Sequence, residues 1–335
     1  VLGATGLVGS TILRLLAERE FPAAEVVPFA SERSVGKELE WDGKLLSCHE
    51  LNPETIQGLD VVLSSAGGSV SAEWTPRLVE AGAIVVDNTS FWRMHDDVPL
   101  VVAEVNPEAI DGHNGIVANP NCSTMQMVVA LKPLFDEAGI ERLVISTYQA
   151  VSGTGKAAID ELLSQSRSVL AGEDPVAAVY PHPIAFNALA QAGSFADGDD
   201  HTDEERKLIN ETRKILGDDS IRISATCVRV PVVTGHSEAV NVETRKPLEV
   251  ERARELLMAA PGVTVLDDPG AGRYPMAIEA AGHDDVFVGR LRRDPGNERA
   301  LDMWVVSDNL RKGAATNAVQ LAELLVQRGL LSGRD

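Results

Sequence analysis

The chain has 335 residues, is 44% hydrophobic and contains 28 glycines, which suits about two domains of ordinary size and argues against wholesale disorder. Its 50 acidic and 30 basic residues give a formal charge of −20, which disfavours nonspecific binding to nucleic acid or an anionic membrane but allows a local basic pocket. Three scattered cysteines, Cys48, Cys122 and Cys227, are too few for a disulfide framework. With no zinc-like spacing, no signal-peptide pattern and no membrane-length apolar run, the expectation is a reduced, cytoplasmic protein without a metal.

Val1-Leu2 reads as the end of a strand, followed by a Gly-rich turn and a helix over Ser10–Arg19 with Ile12, Leu13, Leu15 and Leu16 on its inner stripe. Further strands are expected at Glu25–Phe29, Asp60–Leu63 and Ala83–Val86, with a crossover helix at Trp74–Ala81. Continuous apolar runs of this kind suit parallel strands buried on both faces. Ligands of such sheets sit beyond the carboxyl ends of the strands, where Ser64–Gly68 and Asp87–Ser90 fall. From about residue 120 the pattern changes. Alternating strands are expected at Arg142–Gln149, Ile221–Val233, Glu238–Thr244, Val286–Leu291 and Leu301–Ser307, and helices near Lys156–Leu170, Glu204–Leu216 and Val250–Ala259. The fold class is therefore α/β, a doubly wound N-terminal domain followed by an α+β domain. Asp197–Asp200 reads as an exposed loop, and a last helix over Ala314–Arg328 packs on either domain as far as pattern decides.

Gly3-Ala4-Thr5-Gly6-Leu7-Val8-Gly9 lies between the first strand and helix. Glycines there permit a tight turn and close approach of a pyrophosphate to a helix N-terminus, although the spacing departs from G-x-G-x-x-G. At the end of the second strand, Arg33 with Ser31 and Ser34 favours the 2′-phosphate of NADP, and Glu32 is the contrary sign. Asn119-Pro120-Asn121-Cys122 reads as a polar turn that leaves Cys122 at the start of a helix running through Leu131. A thiolate is favoured in that position, and N–H groups there suit an oxyanion. Cys48 and Cys227 read as small buried hydrophobes. Among seven histidines, His236 is the candidate acid/base because Thr234-Gly235-His236-Ser237 turns sharply out of a strand. A dinucleotide turn with a cysteine at a helix start points to aldehyde oxidation through a thioester.

Five segments in this order resemble aspartate-β-semialdehyde dehydrogenases over essentially the whole chain: Gly3–Gly9, Asn119–Thr124, Tyr148–Gly155, Arg229 with Gly235–Ser237, and Ser307–Ala315. The resemblance implies NADPH-dependent, reversible reduction of L-aspartyl-4-phosphate to the semialdehyde, on the route to lysine (through diaminopimelate), methionine and threonine. It implies Cys122 as nucleophile, His236 as acid/base and Gln149 as the residue orienting the acyl-enzyme. Arg229 would grip the substrate α-carboxylate and Glu204 its amino group, with Lys207 and Arg93 on phosphate and Asn121 beside the substrate. Cofactor contacts would come from Gly3, Thr5, Gly6, Leu7, Val8, Gly9, Ser31, Arg33, Ser34, Ser65, Gly67, Asn88, Ser152, Gly153 and Asn309. The implied fold is a discontinuous Rossmann domain, residues 1–120 and 314–335, and a catalytic and dimerisation domain, residues 121–313, resembling that of glyceraldehyde-3-phosphate dehydrogenase. A homodimer or tetramer follows from the same resemblance.

Alternative readings remain at single positions. Glu204 and Lys207, three apart on a helix, also fit an ordinary surface pair, and Arg93 a surface arginine. N-acetyl-γ-glutamyl-phosphate reductase is the nearest rival enzyme, but its acylated substrate has no ammonium for Glu204 to meet. A catalytically dead paralogue would have lost the Cys or the His, and both are present.

Overall fold

Short β-branched and apolar runs build the first sheet. The computed structural model describes residues 1–331, and the chain forms two compact units, Val1–Asn121 with the segment from Ala314 onward, and Cys122–Gly313. In the first unit, helix α1 (Leu7–Glu18) follows the Gly-rich turn, and a hairpin of β1 (Glu38–Trp41) and β2 (Lys44–Ser47) comes next. Then β3 (Val61–Ser64), α2 (Gly68–Glu80), β4 (Ile84–Asp87) and β5 (Ile116–Ala118) form βαβ units in a parallel sheet of order β3-β4-β5. Single parallel bridges extend that sheet, from Ser64 to Leu2, Leu2 to Phe29 and Phe29 to His49 on one side, and from Ala118 to Leu100 on the other. The strand order therefore reverses at Leu2, the switch point at which doubly wound sheets bind ligands.

A core of α1 residues Ile12, Leu13, Leu15 and Leu16 meets Leu63, Val86 and Val117 of the sheet and Ala318, Val319, Leu321, Ala322 and Leu325 of the C-terminal helix Asn317–Gln327. The expected strand at Glu25–Phe29 shrinks to the bridge at Phe29, because Pro28 has no N–H to give a ladder. The expected helix at Trp74–Ala81 begins earlier, at Gly68. The last helix is preceded by a π-helical segment, Arg311–Thr316. The β1–β2 hairpin was not expected, yet Asp42 and Gly43 both have positive φ, the pattern of an Asp-Gly hairpin turn. Residues 332–335 of the expected first domain lie outside the described residues.

The second unit opens with α3 (Cys122–Ala138) and continues through β6 (Ile140–Gln149), α4 (Lys156–Leu170), α5 (Asp203–Leu216), β7 (Arg222–Arg229) and β8 (His236–Thr244). It closes with α6 (Val250–Ala259), β9 (Val263–Val265), β10 (Val286–Arg293) and β11 (Ala300–Ser307). These strands form one mixed sheet, β7-β6-β8-β11-β10-β9, parallel at β6/β7 and β9/β10 and antiparallel elsewhere. Strand β7 ends at Arg229, short of the expected Val233, where Pro231 interrupts pairing, and β8 starts at His236, two residues before the expected Glu238. Along β8 the even-numbered residues from His236 to Thr244 are buried, so one sheet face carries the core and the packed helices.

Candidate active site

The glycine turn is shaped by backbone sterics. Gly3 has φ +77°, and a Cβ there would press on the Ser65 carbonyl; a Cβ on Gly9 would overlap the Gly3 carbonyl. Gly6 caps α1 in extended conformation, and its N–H donates to the Gly3 carbonyl at 3.0 Å. Thr5, Leu7 and Val8 are half-buried around this turn, and Ser65 follows β3 with its N–H on the Leu2 carbonyl. Such a cradle, filled by any added Cβ and opening on a helix N-terminus, fits the pyrophosphate of a dinucleotide. Gly67, φ +92°, starts α2 at the end of the neighbouring strand. Ser31, Glu32 and Arg33 are exposed and Ser34 is half-buried, in a short turn that follows the bridge at Phe29.

Asn88 and Arg93 belong to a buried polar cluster in the same unit. Asn88 donates to the Ser64 carbonyl at 2.9 Å and accepts from Asn119 at 2.7 Å, and Asn317 of the C-terminal helix donates to Asn119 Oδ1 at 2.6 Å. Arg93 is buried and donates to the main-chain carbonyls of Asn119 (2.9 Å) and Asn88 (2.8 Å). The alternative of a solvated surface arginine is thereby overturned. Asn121, also buried, ends this unit.

In the second unit, register assembles a polar row. Gln149 pairs with Arg229 across β6 and β7, Tyr148 pairs with Ser237, and His236 pairs with Ser307. Arg229, Gln149 and His236 therefore stand abreast on the buried face. Gln149 donates to Glu204 Oε1 at 3.0 Å, and Lys207 donates to Glu204 Oε2 at 3.1 Å and to Asp203 at 2.6 Å. Glu204 is buried, so the reading of Glu204 and Lys207 as an ordinary surface pair also fails. Burial works to lower the Lys207 pKa, but the Glu204 and Asp203 carboxylates hold it above its ordinary value. Helix α5 presents Glu204 because its N-terminus is fixed by a capping box. Thr202 accepts from Glu205 N–H, and the Glu205 carboxylate accepts from Thr202 N–H and from Cys227 N–H on β7. Arg206 makes a bidentate pair with Asp199, pinning the acidic loop to the same helix.

His236 is fully buried; the Ala150 N–H donates to its Nδ1 at 3.0 Å, while Nε2 meets no partner among the described residues. Burial, followed by the nearby Arg229 cation, pushes its pKa down to about 3. Arg229 donates to the Ala150 carbonyl at 2.8 Å. A Cβ at Gly153 would lie 3.0 Å from Arg229 Nη1 and 3.2 Å from His236 Nε2, so a side chain there would crowd both. Asn309 accepts from the Gly235 N–H at 2.9 Å and exchanges hydrogen bonds with Ser152 at 3.0 and 3.2 Å. Cys122 is the first residue of α3, partly exposed, where helix amides point outward. One turn on and on the same helix face, Gln126 accepts from Ser307 at 2.7 Å and lies 3.4 Å from the His236 carbonyl, which ties this end of α3 to β8 and β11. Burial pushes the Cys227 thiol up, so that cysteine is inert.

Four site features escaped the sequence reading. Gly313 abuts the nucleophile candidate, since a Cβ would lie 2.8 Å from Cys122 Cβ. Gln126 and Ser307 form the buried brace just described. Glu238, one row below His236, has both carboxylate oxygens buried without a hydrogen-bond partner among the described residues, and burial pushes its pKa well up. The Ala150 main chain serves both His236 and Arg229. Polar residues at core-facing positions of β8 were the available signal for Glu238; the others depend on tertiary packing. Among the described residues no cluster of three or more His, Cys, Asp or Glu could hold a metal, and no helix is long and apolar enough to cross a membrane.

A glycine-cradled dinucleotide site and a mixed-sheet unit with a cysteine at a helix start define a class, dinucleotide-dependent dehydrogenases with a cysteine placed as nucleophile. The family profile described as "Semialdehyde dehydrogenase, NAD binding domain" matches residues 1–113, and "Semialdehyde dehydrogenase, dimerisation domain" matches residues 131–312. The aspartate-semialdehyde dehydrogenase of Aquifex aeolicus is 55% identical over 99% of this chain and 98% of its own length. The crystal structure of aspartate-semialdehyde dehydrogenase II from Vibrio cholerae complexed with ASA superposes with a TM-score of 0.93 at 47% identity, covering 97% of each chain. A Candida albicans aspartate-semialdehyde dehydrogenase with NADP gives a TM-score of 0.75 at 28% identity, covering 98% of each chain. The chain belongs to the aspartate-semialdehyde dehydrogenase family and is an oxidoreductase.

Proposed function

We propose that the chain is an NADP-dependent aspartate-semialdehyde dehydrogenase that interconverts L-aspartate-4-semialdehyde and L-aspartyl-4-phosphate through a thioester on Cys122. The observation that carries this reading is the row Arg229–Gln149–His236 with Glu204 bonded to Gln149. An α-carboxylate matches the planar Arg229, and an α-ammonium matches Glu204. That pairing also disfavours an N-acylated substrate. Cys122 adds to the aldehyde carbon, Gln149 orients the acyl group, and His236 Nε2 and the α3 amides face the oxyanion. Phosphate, with Arg93 and Lys207 each as a contact and Asn121 beside the substrate, releases the product. NADP, when bound, supplies the hydride acceptor.

The dinucleotide is assigned to a discontinuous domain, residues 1–120 with 314–335, and catalysis to residues 121–313. Its contacts are Gly3, Thr5, Gly6, Leu7, Val8, Gly9, Ser65, Gly67 and Asn88, with Ser152, Gly153 and Asn309 toward the nicotinamide. Ser31, Arg33 and Ser34 take the 2′-phosphate, supported by the exposed guanidinium of Arg33. The relative crystallised with NADP supports the same choice. A homodimer is proposed on the profile named for dimerisation and on an open groove of about 770 Å³ over the sheet face opposite the core, lined by Tyr148, Ala239, Met276 and Trp304. The activity is assigned to lysine, methionine and threonine biosynthesis in a reducing cytoplasm, where the Cys122 thiol stays reduced. The test is phosphate-dependent reduction of NADP⁺ against NAD⁺ with aspartate semialdehyde and with the N-acetyl-γ-glutamyl aldehyde. Turnover only with the latter, or independent of phosphate, sinks the proposal.

A further inference from the structure

We propose that Glu205 is a positioning residue that sets the spacing between the Glu204 carboxylate and the Arg229 guanidinium, and so matches the site to a substrate carrying both an α-ammonium and an α-carboxylate. This rests on the substrate contacts proposed above for Glu204 and Arg229. Glu205 lies in the first turn of α5 and is buried. One of its carboxylate oxygens closes the capping box by accepting from the Thr202 N–H at 2.9 Å, and helix capping asks no more of it. The second oxygen reaches out of the helix and accepts from the Cys227 N–H of β7 at 3.0 Å.

Strand β7 ends its sheet on that side, so its outer edge has no neighbouring strand in the sheet order. Single partners hold that edge instead. Arg229 exchanges main-chain hydrogen bonds with Leu189 at 2.9 and 2.8 Å, and the Cys227 carbonyl accepts from the Ala192 N–H at 3.0 Å. The Cys227 N–H in the same row is met by a side chain, the Glu205 carboxylate. Cys227 and Arg229 are two residues apart, and both are buried on one sheet face. Glu204 directly precedes Glu205. One carboxylate therefore ties the helix end that carries Glu204 to the strand that carries Arg229. The neighbouring cations are engaged elsewhere: Arg206 pairs with Asp199, and Lys207 with Asp203 and Glu204.

Arg229 stands abreast of Gln149, which donates to Glu204 at 3.0 Å, so the cation and the carboxylate flank one glutamine. A single α-carbon has to serve both at once. A shift of α5 away from β7 loses the ammonium contact and leaves the carboxylate grip and the reacting aldehyde in place. The bridge needs two acceptor oxygens. Glutamine has one, and its amide nitrogen would face an N–H, so Glu205→Gln opens the bridge at one end with little change of volume.

The test compares kcat/KM for aspartate semialdehyde with that for succinate semialdehyde, the same aldehyde acid without the ammonium. The wild-type chain is expected to prefer the former by at least ~10²-fold, because the second leaves Glu204 without its counter-charge. Glu205→Gln should cut that preference about tenfold through a higher KM for aspartate semialdehyde, while kcat/KM for succinate semialdehyde and the KM for NADP stay within about twofold. In a Glu204→Gln background the same substitution should change the preference no further. Thr202→Val removes the other half of the capping box and spares the bridge, so it should lower the Tm and keep the preference. If Glu205→Gln does not fold, Glu205→Asp, too short to span both N–H groups, is read in the same way. Equal losses on the two aldehydes, or the same fall in preference in Thr202→Val, overturn the proposal, because Glu205 then only secures the helix. A large wild-type preference that Glu205→Gln leaves unmoved also overturns it alone. A wild-type chain that uses both aldehydes equally removes the Glu204–ammonium contact, and the substrate assignment falls together with this proposal.

Discussion

In the proposed function, the glycine turn of the first unit and the polar row of the second bind by opposite means. At Gly3–Gly9 the binding groups are main-chain atoms, and selection acts on what must be missing: a Cβ at Gly3 or Gly9 collides with backbone. Along Arg229–Gln149–His236 the proposed chemistry rests on side chains, and these are buried with specific partners. The difference teaches where each fails. The turn fails by steric intrusion, which weakens nucleotide binding first. The row fails by loss of a partner, which strands a buried polar group and lowers turnover.

The sharpest way to separate the two regions is Cys122→Ala. It should lower phosphate-dependent NADPH formation by at least ~10⁴-fold while leaving NADP binding by fluorescence titration unchanged. Residual turnover near the wild-type rate would remove the thioester from the mechanism. Arg229→Lys comes next, with kcat/KM for the semialdehyde falling about 10–10²-fold, because a planar two-point donor is replaced by a point charge. Its KM for NADP should not move; a change confined to NADP would place Arg229 in the wrong region.

Gly9→Ala attacks the other side of the comparison. Its methyl group meets the Gly3 carbonyl and, at 2.8 Å, the Ala4 Cα, so the backbone must shift, at about 1–3 kcal/mol. The KM for NADP should rise about tenfold and the Tm should fall, with Cys122 alkylation unchanged. Gly67→Ala is the control: it has positive φ but open space around the added Cβ, so strain appears in the Tm with a smaller effect on NADP.

Legibility followed the same division. Backbone constraints left local marks: the three glycines before an amphipathic stripe, the buried runs at Val61–Ser64 and Ile84–Asp87, and the Asp42-Gly43 turn whose hairpin was nonetheless overlooked. Pro28 showed that one residue without an N–H reduces an apolar run to a bridge. In the second unit the strands were visible from alternation, but not which residues stand abreast. Register brings Gln149 beside Arg229 across about 80 residues of sequence, and nothing near either residue announces it. The sharp turn at Thr234–Ser237 marked His236 and the motif order named Gln149 and Arg229 through resemblance, while the contacts of Gly313, Ala150 and the Gln126–Ser307 brace emerge only from packing. Glu204 and Lys207 have the spacing of a surface pair, and only the burial of Glu204 against Gln149 distinguishes them.

Glu238 gives the smallest effect and a test of burial itself. Its carboxyl is pushed well above the ordinary range by burial, with Gln126 close by as a minor relief and Glu204 adding to the rise. In the unfolded chain the same group ionises near its ordinary pKa of about 4.3. Above that pH the unfolded state releases a proton that the folded state keeps, so this contribution to stability is full at low pH and is lost as pH rises toward the folded pKa. Glu238→Gln removes the ionisation while keeping shape and polarity. The variant should match wild type near pH 4 and gain on it by about 1.4 kcal/mol per pH unit above that at most, less where the protein relaxes around the charge. His236 acts in the opposite sense in both variant and wild type, losing stability as pH falls from about 6.5 toward its folded value of about 3, so it cancels from the difference. Chemical denaturation at pH 5 and pH 8 reads the gap. Equal gaps at both values would mean that Glu238 is ionised in the folded protein, with a cation or water network supporting it, and the row beneath His236 would then carry charge.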